Sequence, residues 1–86
     1  MLSYEQLSDA EIEVLLYARA AAQRCDLLVE QGPDHWIAAF VKQRRFGRNR
    51  MTLLAHADER RSALVLLLRH SDIAVHLGEV RRQHSR

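Results

Sequence analysis

The segment at residues 7–12, Leu-Ser-Asp-Ala-Glu-Ile, is a helix start that constrains the rest of the chain. Ser8 can accept a hydrogen bond from the Glu11 backbone N–H, and the Glu11 carboxylate can accept one from the Ser8 N–H. This reciprocal pair is a capping box. Leu7 and Ile12 occupy the flanking apolar positions of a hydrophobic staple. A helix is therefore predicted to begin at residue 9.

The end of this helix is predicted from the glycine–proline pair at residues 32 and 33. Gly32 suits a left-handed C-cap, and Pro33 cannot continue a helix. We therefore expect one long N-terminal helix over about residues 9–31. The chain has only three glycines and one proline, and this scarcity argues against an all-β fold, which needs many turns.

Small and apolar residues form a seam along this predicted helix. They recur at alternating steps of four and three, the spacing of a helix–helix contact. The members of the seam are Val14, Ala18, Ala21, Cys25 and Leu28. A second apolar stripe lies on another side, and a helix that is apolar on two sides is packed from both directions. Because so short a chain has a thin core, we predict a homodimer through the seam.

The C-terminal half is predicted to be helical as well. Residues 51–70 contain the longest apolar run, Ala63–Leu68, which is expected to be the most buried part of the protein. The pattern leaves open whether 51–70 is one helix or two helices broken near Asp58. Ser71 can cap a last helix, and a basic tail over about residues 81–86 is expected to fray.

The segment 36–41 decides the fold class. Its apolar residues have the i, i+1, i+4, i+5 spacing of a helix. The alternative pairs this segment with 51–55, which gives an α+β fold with a hairpin around 36–55. Such a strand would be apolar on both faces, and the alanines and the polar residues that follow favour helix. We therefore predict an all-α fold, a small bundle of three to five helices in a single domain over residues 1–86.

Residues 71–82 resemble the first helix and turn of a DNA-binding helix-turn-helix. Ala74 matches the alanine that packs against the second helix, and Gly78 matches the turn glycine four residues later. Few residues follow Gly78, whereas a recognition helix needs about two to three turns to lie in the major groove. The segment is therefore interpreted as a terminal amphipathic helix.

Residues that could carry catalysis or bind a metal are few and scattered. Asp72 and His76 are one helical turn apart, but no HExxH motif or cysteine–histidine pairing completes a metal site. Cys25, the single cysteine, lies on the seam, where packing rather than reactivity is expected. The chain has no GxSxG motif and no phosphate-binding loop. We predict a protein that is not an enzyme and has no catalytic residues, metal, cofactor or small-molecule substrate.

The sequence also carries no signal for export or membrane insertion. Residues 1–13 lack a basic region followed by an apolar stretch, and the longest apolar run is far shorter than a membrane span. A single cysteine fits a reducing compartment. We expect a cytoplasmic protein that does not bind membranes.

Charge is divided unevenly between the two halves of the chain. Residues 1–41 carry seven acids and two bases, and residues 42–86 carry four acids and eleven bases. The densest basic stretch is KQRRFGRNR at 42–50, where cations beside an aromatic suit phosphate contacts and base stacking. Its cations are Lys42, Arg44, Arg45, Arg48 and Arg50. The alternatives are a polar bend between buried segments, and charge pairing with the acidic half of the chain or with an acidic partner protein.

Two functions are consistent with these patterns. The leading one is a small non-enzymatic helical interaction protein, a regulator, adaptor or chaperone-like factor that binds another protein and forms a homodimer through the seam. The alternative is a transcriptional or RNA-associated regulator that binds nucleic acid through the cations of 42–50.

Overall fold

The computed structural model describes residues 4–43 and 47–84, with side chains up to Ala74. The chain has an α+β fold whose three strands form one antiparallel sheet in the order β1-β2-β3. In chain order the elements are a 3₁₀ turn Tyr4–Gln6, α1 Asp9–Ala22, β1 Asp26–Gln31, β2 Trp36–Lys42, β3 Arg50–Ala57 and α2 Arg60–His84. The predicted all-α bundle is therefore wrong. The alternative with a hairpin around 36–55 corresponds to the β2–β3 pair.

The start of α1 is confirmed. The Glu11 N–H donates to the Ser8 hydroxyl over 3.2 Å, and the Ser8 N–H donates to the Glu11 carboxylate over 3.1 Å. The bond from the Ser8 backbone is the main cause that lowers the pKa of the Glu11 carboxyl, and the Ser8 side chain contributes further. Both bonds satisfy N–H groups that have no partner within the helix.

The end of α1 lies at Ala22 rather than at residue 31, so the predicted helix is too long. Arg24 adopts a left-handed conformation with φ of 57°. Its N–H bonds to the Ala21 carbonyl at 3.0 Å, and the Cys25 N–H bonds to the Ala20 carbonyl at 2.8 Å. These two bonds form a Schellman motif. Arginine occupies the position that glycine usually fills, so the sequence gives no C-cap signal there.

The segment predicted to be the second helix is the central strand β2. Gly32 and Pro33 lie in the turn before it, where the Gly32 N–H bonds to the His35 carbonyl at 2.7 Å. A central strand is flanked on both edges, and β2 is apolar on both of its faces. The residues facing the helices are Trp36, Ala38 and Phe40, and those on the opposite face are Ile37, Ala39 and Val41. This two-sided apolar pattern is the physical reason why the helical prediction for 36–41 fails.

Both helices pack on the same face of the sheet. From α1, Ile12, Leu16 and Ala20 enter the core, each at most 2% exposed. From α2, the run Ala63–Leu68 is buried except for the partly buried Leu66, which confirms the prediction for this run. Phe40 lies in this core and is fully buried. Burying a side chain of this size contributes about 2–3 kcal/mol.

Residues 51–70 are neither one helix nor two. They contain β3 and the first part of α2, and the two elements are separated near Asp58. Ser71 caps no helix, because it lies inside α2 and is fully buried. The helix continues through Gly78, so the turn of a helix-turn-helix is not formed there. It reaches His84, which includes most of the tail expected to fray.

Ion pairs connect the acidic half of the chain to the basic half. Asp9 pairs with Arg61 at 2.6 Å near the start of both helices, and Arg19 pairs with Asp72 at 2.7 Å further along, so α1 and α2 run parallel. The remaining pairs are Glu13 with Arg60 and Glu5 with Arg69. The two halves of the chain therefore pair mainly through arginines of α2, whereas the described cations of 42–50 (Lys42, Arg48 and Arg50) take no part in these four pairs.

Candidate functional site

The face of the sheet that points away from the helices, here called the outer face, is apolar on all three strands. Residues directly opposite each other in antiparallel strands share a face. The register therefore places Leu28, Ala39 and Leu54 in one row across the sheet, and Val41 beside Met51 in the next. The apolar residues of the outer face are Leu28, Ile37, Ala39, Val41, Met51 and Leu54.

A β-bulge in β3 brings Met51 onto the outer face. Phe40 pairs with Leu53 but Val41 pairs with Met51, so Thr52 is left without an opposite residue. The Thr52 hydroxyl donates to the Phe40 carbonyl over 3.4 Å. With regular alternation Met51 would lie on the helix side of the sheet. Bulges often re-aim a side chain in this way.

The outer face is only partly shielded from solvent. Met51 and Leu54 are 52% and 44% exposed, Ala39 at the centre is buried, and the other three are partly buried. None of the six belongs to the core that the helices form or to the side chains packed against it. The solvent face of an antiparallel sheet is usually polar, and a contiguous exposed apolar patch marks an interaction site. The outer face is therefore the main candidate site.

Polar side chains border the outer face on its two edge strands. Asp26 and Glu30 flank Leu28 along β1, and His56 lies on β3 in the same row as Glu30 and Ile37. The Asp26 carboxylate accepts a hydrogen bond from the Gln43 amide over 2.6 Å. The border is thus acidic along β1 and carries an imidazole along β3.

The predicted seam is divided between three environments. Val14, Ala18 and Ala21 are exposed on α1, with Val14 66% exposed. Cys25 is buried in the core beyond the end of the helix, and Leu28 lies on the outer face. The structure therefore does not bring the five residues together. The three on α1 stay a predicted self-association surface.

A groove of about 530 Å³ lies between the N-terminal turn and α1. It is lined mainly by Tyr4, Leu7, Val14 and Leu15, with Arg19 at one end. The polar groups of Tyr4 and Arg19 already bond within the protein. Ligand sites usually combine apolar walls with convergent polar groups that are free to bind, so the groove is a weaker candidate than the outer face.

The described residues of the predicted basic segment, 42–43 and 47–50, lie at the end of the β2–β3 hairpin. Lys42, Arg48 and Arg50 are exposed, and no carboxylate of the described side chains lies within 4 Å of them. Arg44 and Arg45 lie outside the described residues. Gly47 has φ of 107°, a conformation that glycine adopts without strain.

Neither a metal site nor a membrane-spanning helix is formed within the described ranges 4–43 and 47–84. There, no group of three or more histidine, cysteine, aspartate or glutamate side chains is placed to hold a metal ion. No helix in these ranges has the length and apolarity to cross a bilayer. The carboxylate of Asp72, the residue one helical turn from His76, pairs with the Arg19 guanidinium at 2.7 Å.

Comparison of the chain with protein-family models, curated proteins and solved structures finds no match. The function is therefore inferred from the chemistry of the outer face and of the hairpin end.

Proposed function

We propose that this protein is a non-catalytic protein-interaction module that self-associates through the outer face of its sheet. The observation that supports the proposal is a solvent-facing sheet surface that is apolar on all three strands and centred on Ala39. Covering such a surface removes apolar area from water, and each Å² removed contributes about 25 cal/mol to the free energy of association. A regulator, adaptor or chaperone-like factor would use such a contact.

The border of the outer face favours a second copy as the partner. Two copies can pack face to face around a two-fold axis that runs along β2 or across it. With the axis along β2, β1 of one copy lies over β3 of the other, which places Glu30 against His56 and Leu28 against Leu54. With the axis across the strands, Asp26 would meet Glu30 of the other copy. The first arrangement pairs a carboxylate with an imidazole and leucine with leucine, whereas the second brings two carboxylates together. We therefore assign the first arrangement to the dimer.

The size of the outer face indicates a weak dimer. Three strands spaced about 4.8 Å apart and about seven residues long at roughly 3.3 Å per residue give a footprint of about 300 Å² per copy. Stable complexes bury about 800 Å² per partner. Association is therefore expected to depend on concentration and to require measurement well into the micromolar range.

Sedimentation velocity over about 5–500 μM, a range chosen for weak complexes, tests the proposal. Leu54→Asp places a carboxylate in the outer face and should leave a monomer at all concentrations, because a charge buried without a partner is strongly unfavourable. Val14→Asp is the matched control, since it introduces the same charge at an exposed apolar residue on α1. Far-UV circular dichroism verifies that both variants fold.

The same pair of variants separates the outer face from the α1 seam. Loss of association in Leu54→Asp but not in Val14→Asp supports the proposal. Loss in Val14→Asp alone would show that Val14, Ala18 and Ala21 form the interface instead. A wild-type protein that stays monomeric over the whole range would refute self-association.

A reducing cytoplasm is the compartment that we propose for this function. The single cysteine, Cys25, is a free thiol buried in the core. A fold with one free thiol holds no intrachain disulfide, so its stability does not require an oxidising environment.

A further inference from the structure

Opposite charges lie at the two ends of the strands. One end, here called the cationic end, holds the α1–β1 connection and the β2–β3 hairpin, with the exposed side chains of Arg24, Lys42, Arg48 and Arg50. The other end holds the β1–β2 turn and the β3–α2 connection, with the exposed side chains of Asp34, Asp58 and Glu59. Such a separation produces a directed electrostatic field around a protein.

Ion pairs within the helix layer leave this separation in place. Arg60, Arg61 and Arg69 are paired with carboxylates of the N-terminal turn and α1, so their charges are compensated within the helix layer. At the cationic end, Asp26 is the carboxylate that the structure describes, and its side chain bonds to Gln43. The positive charge of this end is therefore largely uncompensated among the described side chains.

A like-charge pair at the cationic end destabilises the fold when no ligand is bound. Lys42 and Arg50 are direct cross-strand partners, which places their Cα atoms about 5 Å apart. Like charges in directly opposite positions destabilise a sheet, and a Lys–Glu pair there would stabilise it. An anionic ligand that bridges the two side chains would offset this repulsion.

We propose that the cationic end binds the phosphodiester backbone of a nucleic acid. Lysine and arginine bind phosphate through charge-assisted hydrogen bonds. An acidic protein is a less suitable partner, because protein interfaces have a core depleted in charged residues, and the described residues at the hairpin end, 47–50, are polar or charged apart from Gly47. The outer face and the cationic end are separate surfaces, so this inference does not depend on the dimer.

Fluorescence anisotropy with a 20-nucleotide oligothymidylate and with a 20-base-pair DNA duplex, across a salt series, tests the inference. The expected result is binding that weakens as salt increases. Arg48→Gln/Arg50→Gln should reduce the slope of log affinity against log salt by about 1.4 for the single strand or about 1.8 for the duplex, because two phosphate contacts are lost. The matched control is Arg60→Gln/Arg69→Gln, which removes the same charge from paired arginines and should leave the slope within about 0.3 of wild type.

A second variant separates binding from folding. Arg50→Glu should raise the urea midpoint, because it converts a repulsive cross-strand pair into an attractive one, and it should also abolish binding. A lower midpoint would overturn the argument from the like-charge pair. Failure of the wild type to bind either DNA probe, or binding of polyglutamate alone with the same dependence on Arg48 and Arg50, would overturn the assignment to nucleic acid. The sedimentation of Leu54→Asp is a separate readout, so either proposal can fail alone.

Discussion

The contact that ties α1 to α2 through Arg19 gives a stability prediction with a magnitude from the structure. The Arg19 guanidinium donates to the Ser71 hydroxyl at 2.6 Å, to the Leu68 carbonyl at 3.1 Å and to the Tyr4 hydroxyl at 3.0 Å. It also pairs with the Asp72 carboxylate at 2.7 Å. Its side chain is 28% exposed, so these bonds form in a partly buried site.

Replacing Arg19 with Met keeps the apolar stem and removes every polar contact. Hydrogen bonds from a charged donor contribute about 1.5–3 kcal/mol each when buried. The ion pair with Asp72, whose side chain is about half exposed, adds at most about 1 kcal/mol, and Ser71 keeps its own bond to the Leu68 carbonyl. After a discount for partial exposure we expect Arg19→Met to lower the free energy of unfolding by about 2–3 kcal/mol. In a domain of this size the melting temperature would fall by roughly 10–20 °C.

Urea unfolding followed by circular dichroism measures this loss. The control is Arg69→Met, which removes the ion pair between Arg69 and Glu5. The Arg69 side chain is 51% exposed and the Glu5 side chain is 67% exposed. That change should cost at most about 0.5 kcal/mol. An Arg19→Met protein within about 0.5 kcal/mol of wild type, or one that loses no more than Arg69→Met, would refute the reasoning.

Three further predictions use the same unfolding assay. Phe40→Ala should cost about 3–5 kcal/mol and unfold much of the protein at room temperature; a loss below about 1 kcal/mol would contradict its place in the core. Arg24→Gly should stabilise the fold by about 0.5–1 kcal/mol, since glycine adopts the left-handed conformation without strain, and Arg24→Ala should bring no gain. Ser8→Ala should cost about 1 kcal/mol. Because the folded-state pKa of Glu11 is lowered, its stabilisation is present above the ordinary value of 4.5 and is lost as the pH falls through the folded value. Glu11→Gln removes this titrating carboxylate, so the gap in unfolding free energy between wild type and Glu11→Gln should narrow on acidification, and a constant gap would contradict the capping box.

Features that depend on neighbouring residues in sequence could be predicted. The start of α1 follows from Ser8 and Glu11, whose bonds span three residues. The burial of Ala63–Leu68 follows from an apolar run longer than any surface segment tolerates. Pairing between the two halves follows from their opposite net charge, although the sequence does not indicate which partners meet.

The end of α1 and the identity of β2 could not be read from the same patterns. Arg24 takes the left-handed position without the glycine that would signal it. Residues 36–41 are apolar on both faces, and that pattern fits a buried helix as well as a central strand. The apolar run 36–41 is only six residues long, a length typical of a strand rather than of a helix, and this length is the remaining signal for a strand.

The feature that misled the fold prediction is also the candidate functional site. Ile37, Ala39 and Val41 are apolar although no described helix packs against them. A half-solvated sheet would normally carry polar residues at these positions. Apolar residues at positions where the sheet would normally carry polar ones are expected at functional surfaces. The seam prediction separated Leu28 from this surface because it placed the residue on a helix rather than on β1.

Sedimentation velocity of the wild type and of Leu54→Asp at increasing concentration is the most direct test of self-association through the outer face. We predict that the weight-average sedimentation coefficient of the wild type rises with concentration and that of Leu54→Asp stays at the monomer value. A flat wild-type curve, or a Leu54→Asp curve that rises with the wild type, would contradict the proposal.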